Sequence, residues 1–299
     1  MSSSLPPLSL SILGVEPLDE FIKEIADFIH HMIMSRPDIP GNVEVEAKIG
    51  LIRERGGGRL LLPVLVETIL TPDSIDCRFE SNMTAVRLKK ALCKRPLTSL
   101  TRLYMKKAQH KHFNTLLNKL KISSSQPGYA SSSPLDYHHL YLVDTFYASE
   151  TNDREKIRVT RDEKTGNVLE CMKKIRLGDL NVYSPKRMAD WRVSVNLEVP
   201  VSHPVGSSTH TRKKDRMSYA HEEFNIDLTQ VTSTNSSNTP EILHELEVEI
   251  ARPALLLSTA AKRGDMNASE HERNAFDELI RAFVNNARIL VRNASDSWH

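Results

Sequence analysis

Two stretches far apart in the chain alternate charged and apolar residues with period two: Val43-Glu44-Val45-Glu46-Ala47-Lys48-Ile49 and His244-Glu245-Leu246-Glu247-Val248-Glu249-Ile250. That period predicts β-strands with one wet and one buried face. Glu44, Glu46 and Lys48 then project together, as do Glu245, Glu247 and Glu249. The alternation continues through the middle of the chain with cations added. Lys156, Arg158 and Thr160 share a face opposite Ile157 and Val159, and Lys174 shares one with Arg176. Arg192, Ser194, Asn196 and Glu198 alternate with Val193, Val195, Leu197 and Val199. Arg212, Lys214 and Arg216 repeat at period two before Ser218-Tyr219-Ala220, and Asp227 and Thr229 close the strand that follows.

Strands are predicted at 43–50, 139–148, 155–161, 167–177, 189–200, 218–228 and 243–251, with a strand-like apolar run from Leu60 to Leu70. Lys164-Thr165-Gly166-Asn167 reads as a hairpin turn, and loops are expected at 123–135, 201–211 and 232–240. Gly56-Gly57-Gly58, between Arg55 and Arg59, also reads as a hairpin turn, because no helix follows it as a phosphate loop requires. Helical spacing marks both ends. Leu18, Phe21, Ile22, Ile25, Ile29 and Met32 recur up to Arg36-Pro37, and Phe276, Leu279, Ile280, Phe283, Ala287, Leu290 and Val291 share a face near the C-terminus. Residues 1–16 predict a Ser/Pro-rich disordered leader, 17–293 a single domain and 294–299 a tail. Between them, 80–122 is rich in Lys, Arg and His, with Leu103, His110, Phe113, Leu117 and Leu120 at helical spacing. A basic helix beside an active site could attract RNA. Without an aromatic stacking series, a solvated helix face is the plainer reading.

Helices bracketing a β-rich centre predict an α+β fold. Closing the sheet into a barrel removes its edges. With a polar lumen, the apolar outer faces need cover, which the amphipathic terminal helices can provide. Charged residues inside and apolar residues outside is therefore the expected arrangement.

Taken singly, each strand reads as a solvated amphipathic strand. Together they are harder to explain that way, because like charges on neighbouring strands repel and Glu and Lys are poor strand formers. Carboxylates held close together need a proton or a cation, and oxygen-only ligands suit Mg2+ or Mn2+. Facing one lumen, these residues would build a carboxylate floor with Arg and Lys walls. Such a cavity suits a polyphosphate: acids hold a metal, the metal bridges phosphate oxygens, and bases neutralise the rest.

Composition narrows this little. Lys plus Arg (40) nearly balances Asp plus Glu (38), so any electrostatic role depends on local segregation of charge. Cys77, Cys93 and Cys171 form neither a metal-ligand spacing nor an even disulfide framework and read as reduced thiols. No apolar run reaches the roughly 18 residues of a membrane helix, and Met1-Ser2-Ser3-Ser4-Leu5-Pro6-Pro7 lacks the blocks of a secretory signal. A soluble intracellular protein is expected. His110, His112, His138 and His139 lie adjacent in polar segments, which suits surface residues better than zinc ligands.

In combination, Glu44-x-Glu46-x-Lys48 and Glu245-x-Glu247-x-Glu249 resemble the signature of triphosphate tunnel metalloenzymes. More closely, the chain resembles the fungal metal-dependent RNA 5′-triphosphatases of mRNA capping. The resemblance extends through Val143-Asp144-Thr145-Phe146-Tyr147, Lys156-Ile157-Arg158-Val159-Thr160, Lys173-Lys174, the Asp190–Glu198 segment, Arg212-Lys213-Lys214-Asp215-Arg216 and Asp227-Leu228-Thr229, covering most of 18–292. The short leader cannot hold the long N-terminal extension that some members carry. The resemblance implies a closed eight-stranded antiparallel β-barrel with flanking helices that removes the γ-phosphate of triphosphate-ended RNA. It implies metal ligation by Glu44, Glu46 and Glu249, a phosphate grip by Arg158, Lys174, Lys214 and Arg216, and water activation by Glu198 with help from Glu247. Arg192 and Arg212 join the substrate-binding set, while Asp144, Asp227, Thr229 and Glu245 fix the others in place. It further implies a homodimer in the nucleus, with mRNA guanylyltransferase and transcribing RNA polymerase II as partners.

Other readings share parts of this pattern. A small-molecule triphosphatase or polyphosphatase of the same superfamily would carry the same glutamates. A non-catalytic barrel that binds RNA ends would not need Glu198, and a purely structural barrel would not need segregated carboxylates and bases.

Overall fold

The computed structural model describes residues 9, 11–14, 19–71, 75–82, 99–129, 133–149, 156–234 and 240–294. Its strands are β1 (Asn42–Glu54), β2 (Thr68–Leu70), β3 (Cys77–Glu80), β4 (Asp136–Ala148), β5 (Lys156–Asp162), β6 (Val168–Tyr183), β7 (Asp190–Pro200), β8 (His210–His221), β9 (Phe224–Thr234) and β10 (Pro240–Ile250). The helices are α1 (Glu20–Met34), α2 (Ser99–Ser124, side chains described from His110), α3 (Pro253–Lys262) and α4 (Glu270–Arg292). Eight strands close a barrel in the order β1-β7-β6-β5-β4-β8-β9-β10, with β10 pairing back on β1 and every ladder antiparallel. Closure leaves the barrel without free edges. The short β3 pairs with the end of β1, and β2 with the end of β6.

The barrel's apolar residues face outward and are buried by helices. Trp191, Val193, Val195 and Leu197 of β7 and Val43, Val45, Ala47 and Ile49 of β1 are essentially inaccessible. Helix α1 starts because Asp19 caps it, its carboxylate accepting from the backbone N–H groups of Phe21 (3.0 Å) and Ile22 (3.3 Å). It lays Ile22, Ile25, Ile29 and Ile33 onto the barrel and stops at Ser35, before Pro37. A capping box between Ser269 and Glu272 opens α4, whose Phe276, Ile280, Phe283, Val284 and Ala287 are fully buried. Helices α1, α3 and α4 cover β1, β6, β7 and β10, and α2 packs on β9 with Phe113 and Leu117 inward. The expected inversion of core and lumen is present. Among the described residues no helix is long and apolar enough to cross a membrane.

Several sequence expectations need correction. The 60–70 run is not a strand apart from Thr68–Leu70. Leu61, Leu65 and Val66 are exposed, and Pro63 has no N–H to give a ladder. The stretch 218–228 is not one strand but the end of β8, a tight turn and the start of β9. Glu222 makes that turn at φ 52°, so neither Gly nor Asn advertises it. Strand β8 begins inside the loop expected at 201–211, and β9 and β10 both run into the loop expected at 232–240. Helix α3 was not anticipated, although Pro253 at its first turn is a starting signal. The Gly56–Gly58 turn forms as expected, closed by an Arg53–Arg59 bridge. Most of the leader, the basic pairs Lys89-Lys90 and Lys94-Arg95, Cys93 and the end of the tail lie outside the described residues.

If α4 is the cover that lets the barrel wear its apolar face outside, truncating its centre should be costly. Phe283→Ala, at a fully buried position, is expected to cost about 3–5 kcal/mol, measured by urea unfolding. A loss under about 1 kcal/mol would show that α4 does not carry that burial.

Candidate active site

The lumen holds a cavity of about 850 Å³. Lumen-facing carboxylates come from β1 (Glu44, Glu46), β10 (Glu245, Glu247, Glu249), β7 (Glu198) and β4 (Asp144). The cations come from β1 (Lys48), β5 (Arg158), β6 (Lys174) and β8 (Arg212, Lys214, Arg216). Asp227 and Thr229 are buried on β9 behind Arg216. The barrel thus gathers the residues singled out in the sequence, with one exception. Arg192 does not line the cavity: its guanidinium bonds Asn181 Oδ1 (2.8 Å) and Asp179 Oδ2 (3.0 Å) and lies over the Phe79 ring.

Acids and bases interlock across strands. Lys174 pairs with Glu44 and approaches Glu46 Oε1 at 3.4 Å. Asn196 Nδ2 donates to Glu44 Oε2 (2.9 Å) and Glu46 Oε1 (3.2 Å). Lys48 Nζ lies 3.1 Å from Glu46 and 3.6 Å from Glu247. Arg216 reaches Asp227 Oδ2 (2.7 Å), Glu247 Oε1 (3.2 Å) and Thr229 Oγ1 (3.2 Å). Lys214 pairs with Asp144, which also accepts from Thr160 Oγ1 at 2.8 Å. Arg158 Nη2 bridges Glu198 Oε1 (3.2 Å) and Glu170 Oε2 (3.3 Å).

These neighbours set the charge states. Burial, then Glu44, Asp227, Glu247 and Glu46, pushes the Glu249 carboxyl up to about 8. Burial likewise raises Glu46 and Glu245, against the pull of Lys48. It also raises Asp227, although Arg216 sits against it. Glu247 goes the other way: burial is outweighed by Lys48, Arg216, Lys214 and Lys174, which hold it at about 2. Burial works against the Lys48 and Lys174 ammonium groups too, yet the surrounding carboxylates win and raise both. Lys214 is lowered by burial and the nearby Arg216 and Arg158, despite its pairing with Asp144.

The donor set fits a hard cation. Glu44, Glu46 and Glu249 offer only oxygen, and Glu46 faces Glu249 across the β1–β10 ladder. Asn196 Oδ1 is a buried acceptor with no hydrogen-bond donor among the described residues. Among the described residues no three carboxylates, histidines or cysteines already converge as a cage; Lys174 and Lys48 draw Glu44 and Glu46 toward themselves instead.

Some site residues were not singled out from sequence. Asn196 alternates with Ser194 and Glu198, so its face was readable although its bridging of Glu44 and Glu46 was not. Lys48 was visible in the signature but had no role assigned. Asp179 accepts from Ser194 Oγ (2.7 Å) and anchors Arg192 and Arg176. It follows a register shift at Arg176–Gly178, where period two breaks. Two of the four histidines expected at the surface are partly buried instead. His110 Nδ1 lies 3.1 Å from His244 Nδ1, and His112 Nε2 lies 3.1 Å from the Asn293 carbonyl, which helps dock α2. His138 and His139 are exposed.

Residues 15–94 and 92–296 match the model of a family described as mRNA capping enzyme, beta chain. The chain belongs to the mRNA capping enzyme β-chain family. Among family members, it is 36% identical over 299 residues to the mRNA-capping enzyme subunit beta of Schizosaccharomyces pombe, covering 98% of this chain and 88% of that one. The corresponding subunit of Cryptococcus neoformans is 32% identical over 297 residues, covering 96% of this chain but 65% of that longer one. The solved S. pombe Pct1 RNA triphosphatase, in complex with the Spt5 CTD, superposes with a TM-score of 0.79 at 33% identity, over 97% of this chain and all of that one.

In this capping-enzyme β chain, a Glu249 carboxyl raised to about 8 contributes stability that is present below its unfolded value and is lost as pH rises toward 8. With chelator present, thermal stability should therefore fall between about pH 5 and pH 8. Glu249→Gln should gain roughly 1–3 kcal/mol over wild type at pH 8 and nothing near pH 4.5. Parallel pH profiles of the two proteins would contradict the crowding of Glu249 by its neighbours.

Proposed function

We propose that this β chain is a metal-dependent RNA 5′-triphosphatase. It carries out the first step of cap formation, hydrolysing the γ-phosphate of triphosphate-ended RNA to give diphosphate-ended RNA and phosphate. The observation that carries this reading is the barrel lumen in which Glu198 lies 3.2 Å from Arg158, among interlocked carboxylates and cations. A binding module needs no water-positioning carboxylate there.

Glu44, Glu46 and Glu249 would hold Mg2+ or Mn2+, which would supply positive charge to offset that of the phosphates. Arg158, Lys174, Lys214 and Arg216 grip the phosphates. Asp144 fixes Lys214, and Asp227 and Thr229 fix Arg216, before substrate arrives, so little reorganisation accompanies reaction. Glu198 orients a water and takes its proton as the water oxygen bonds to the γ-phosphorus. The bond from that phosphorus to the bridging oxygen breaks, and its electron pair leaves with the diphosphate end. Glu247, kept ionised by Lys48, Arg216, Lys214 and Lys174, acts only as an acceptor and helps hold the water. Arg212 extends the cationic wall, whereas Arg192 serves to fix Asp179.

Family resemblance supports extending this to the cellular setting. The reading includes a nuclear homodimer working with an mRNA guanylyltransferase and transcribing RNA polymerase II. The Spt5 CTD bound to the S. pombe relative supports coupling to transcription.

Phosphate release from triphosphate-ended RNA should require divalent metal and stop with chelator. Glu46→Ala should lose both activity and Mn2+ binding. Glu198→Ala should lose roughly 100- to 10,000-fold in kcat while still binding Mn2+ by calorimetry. Hydrolysis of small triphosphates but not RNA would move the assignment to another tunnel triphosphatase, and an active Glu198→Ala would remove that residue from its role.

A further inference from the structure

At one rim of the lumen the polar wall is interrupted by the ring of Phe146, on which His210 stacks. Phe146 and His210 face each other across the β4–β8 ladder and stack in parallel, with centroids 4.3 Å apart and planes inclined by 2°. The Arg212 guanidinium lies 5.4 Å from the centre of the Phe146 ring. Thr209 Oγ1 lies 3.0 Å from His210 Nδ1 and steadies the imidazole. Phe146, Arg212 and Lys156 all line the cavity. A phenyl ring on the inner face of a charged tunnel binds no phosphate. It does offer the π-surface that every nucleobase can use.

The direction of the reaction points the RNA toward this rim. Glu198 stands opposite Asn42, close to the end where β7 finishes and β1 begins. Phe146 and His210 lie at the other end, where β4 finishes and β8 begins. In-line displacement places the attacking water and the leaving diphosphate on opposite sides of the γ-phosphorus. With the water at Glu198, the diphosphate and its attached nucleoside extend toward Phe146. Arg158 connects the two regions, pairing with Phe146 in the β4–β5 ladder while its guanidinium reaches Glu198. Burial, Lys156 and Arg212 all push His210 down from its ordinary value, which favours a neutral, stackable ring at pH 7.

We propose that Phe146 and His210 form a shelf on which the first nucleobase of the RNA stacks, so that this rim favours a nucleoside-bearing triphosphate over a bare polyphosphate. The proposal rests on the triphosphatase reading for the direction of the substrate and deepens it by assigning specificity residues.

The test compares Phe146→Leu, which keeps apolar bulk but loses the ring, with Phe146→Tyr, which keeps the ring. Phe146→Leu should raise KM for triphosphate-ended RNA on the order of tenfold, with kcat and the hydrolysis of inorganic tripolyphosphate unchanged. Phe146→Tyr should restore the RNA value. Equal losses on both substrates would mean that Phe146 only shapes the barrel, and no change on either would remove it from recognition; each overturns the shelf. A second reading needs no turnover: RNA beginning with 2-aminopurine, bound in a Glu198→Ala background, should lose fluorescence by stacking. That quenching should disappear when Phe146→Leu is added. Phe146-dependent quenching without RNA hydrolysis by the wild type would sink the triphosphatase reading and leave the shelf standing. Quenching that persists in Phe146→Leu would sink the shelf alone.

Discussion

Glu46 and Glu249 face each other in the β1–β10 ladder, with Glu44, Glu247 and Asp227 close behind. So many buried carboxylates on adjoining strands repel one another and lose their hydration, costs that no local β-propensity offsets. Relief comes from strands remote in sequence. Lys174 arrives from β6, Arg158 from β5, and Lys214 and Arg216 from β8. Lys48 of β1 meets Glu247 of β10 across the seam where the sheet closes on itself. Closure therefore removes the edges of the sheet and also adds a counter-charge to the cations that neighbouring strands already bring to its interior.

Filling the inside with charge forces the apolar core to the outside. Period-two strands have only two faces, so Trp191, Val193 and Val195 must meet something other than the lumen. Helices α1, α3 and α4 meet them on one flank, and α2 packs on β9 on another. The packing that stabilises the protein is thus separated from the chemistry, and the lumen side chains are held by strands that are themselves clamped from outside. Such a wall presents fixed dipoles and charges to a phosphate without rearranging, as electrostatic stabilisation of phosphoryl transfer requires.

Much of this was legible because the lumen residues keep strict alternation along β1, β5, β7, β8 and β10. Strand identity and the direction of each side chain followed from the same pattern. Legibility failed where the backbone departs from that period. The shift at Arg176–Gly178 hides Asp179 from a count by twos, and without Asp179 nothing warns that Arg192 is drawn away from the cavity. The turn at Glu222 uses a conformation its residue type does not announce, so two strands read as one. The apolar run at 60–70 misled because hydrophobicity was read without Pro63, which denies it a ladder. Roles are a different matter. The roles proposed for Glu198 with the water and for Glu44, Glu46 and Glu249 with the metal came from family resemblance, since spacing alone treats all these glutamates alike.

The structure supplies a physical basis for separating two of those glutamates. Glu247 and Glu249 are two residues apart on one strand and point into the same lumen, yet their carboxyls shift in opposite directions, to about 2 and about 8. The cause is position. Glu247 sits among Lys48, Arg216 and Lys214, whereas Glu249 sits among Glu44, Glu46 and Asp227. A carboxylate already neutralised by fixed cations is suited to accept hydrogen bonds. One crowded by acids has the most to gain from a mobile dication. Neighbouring carboxylates whose surroundings push their proton affinities apart commonly divide the labour of a site. Here the division follows from which strand of the barrel lies across from each glutamate.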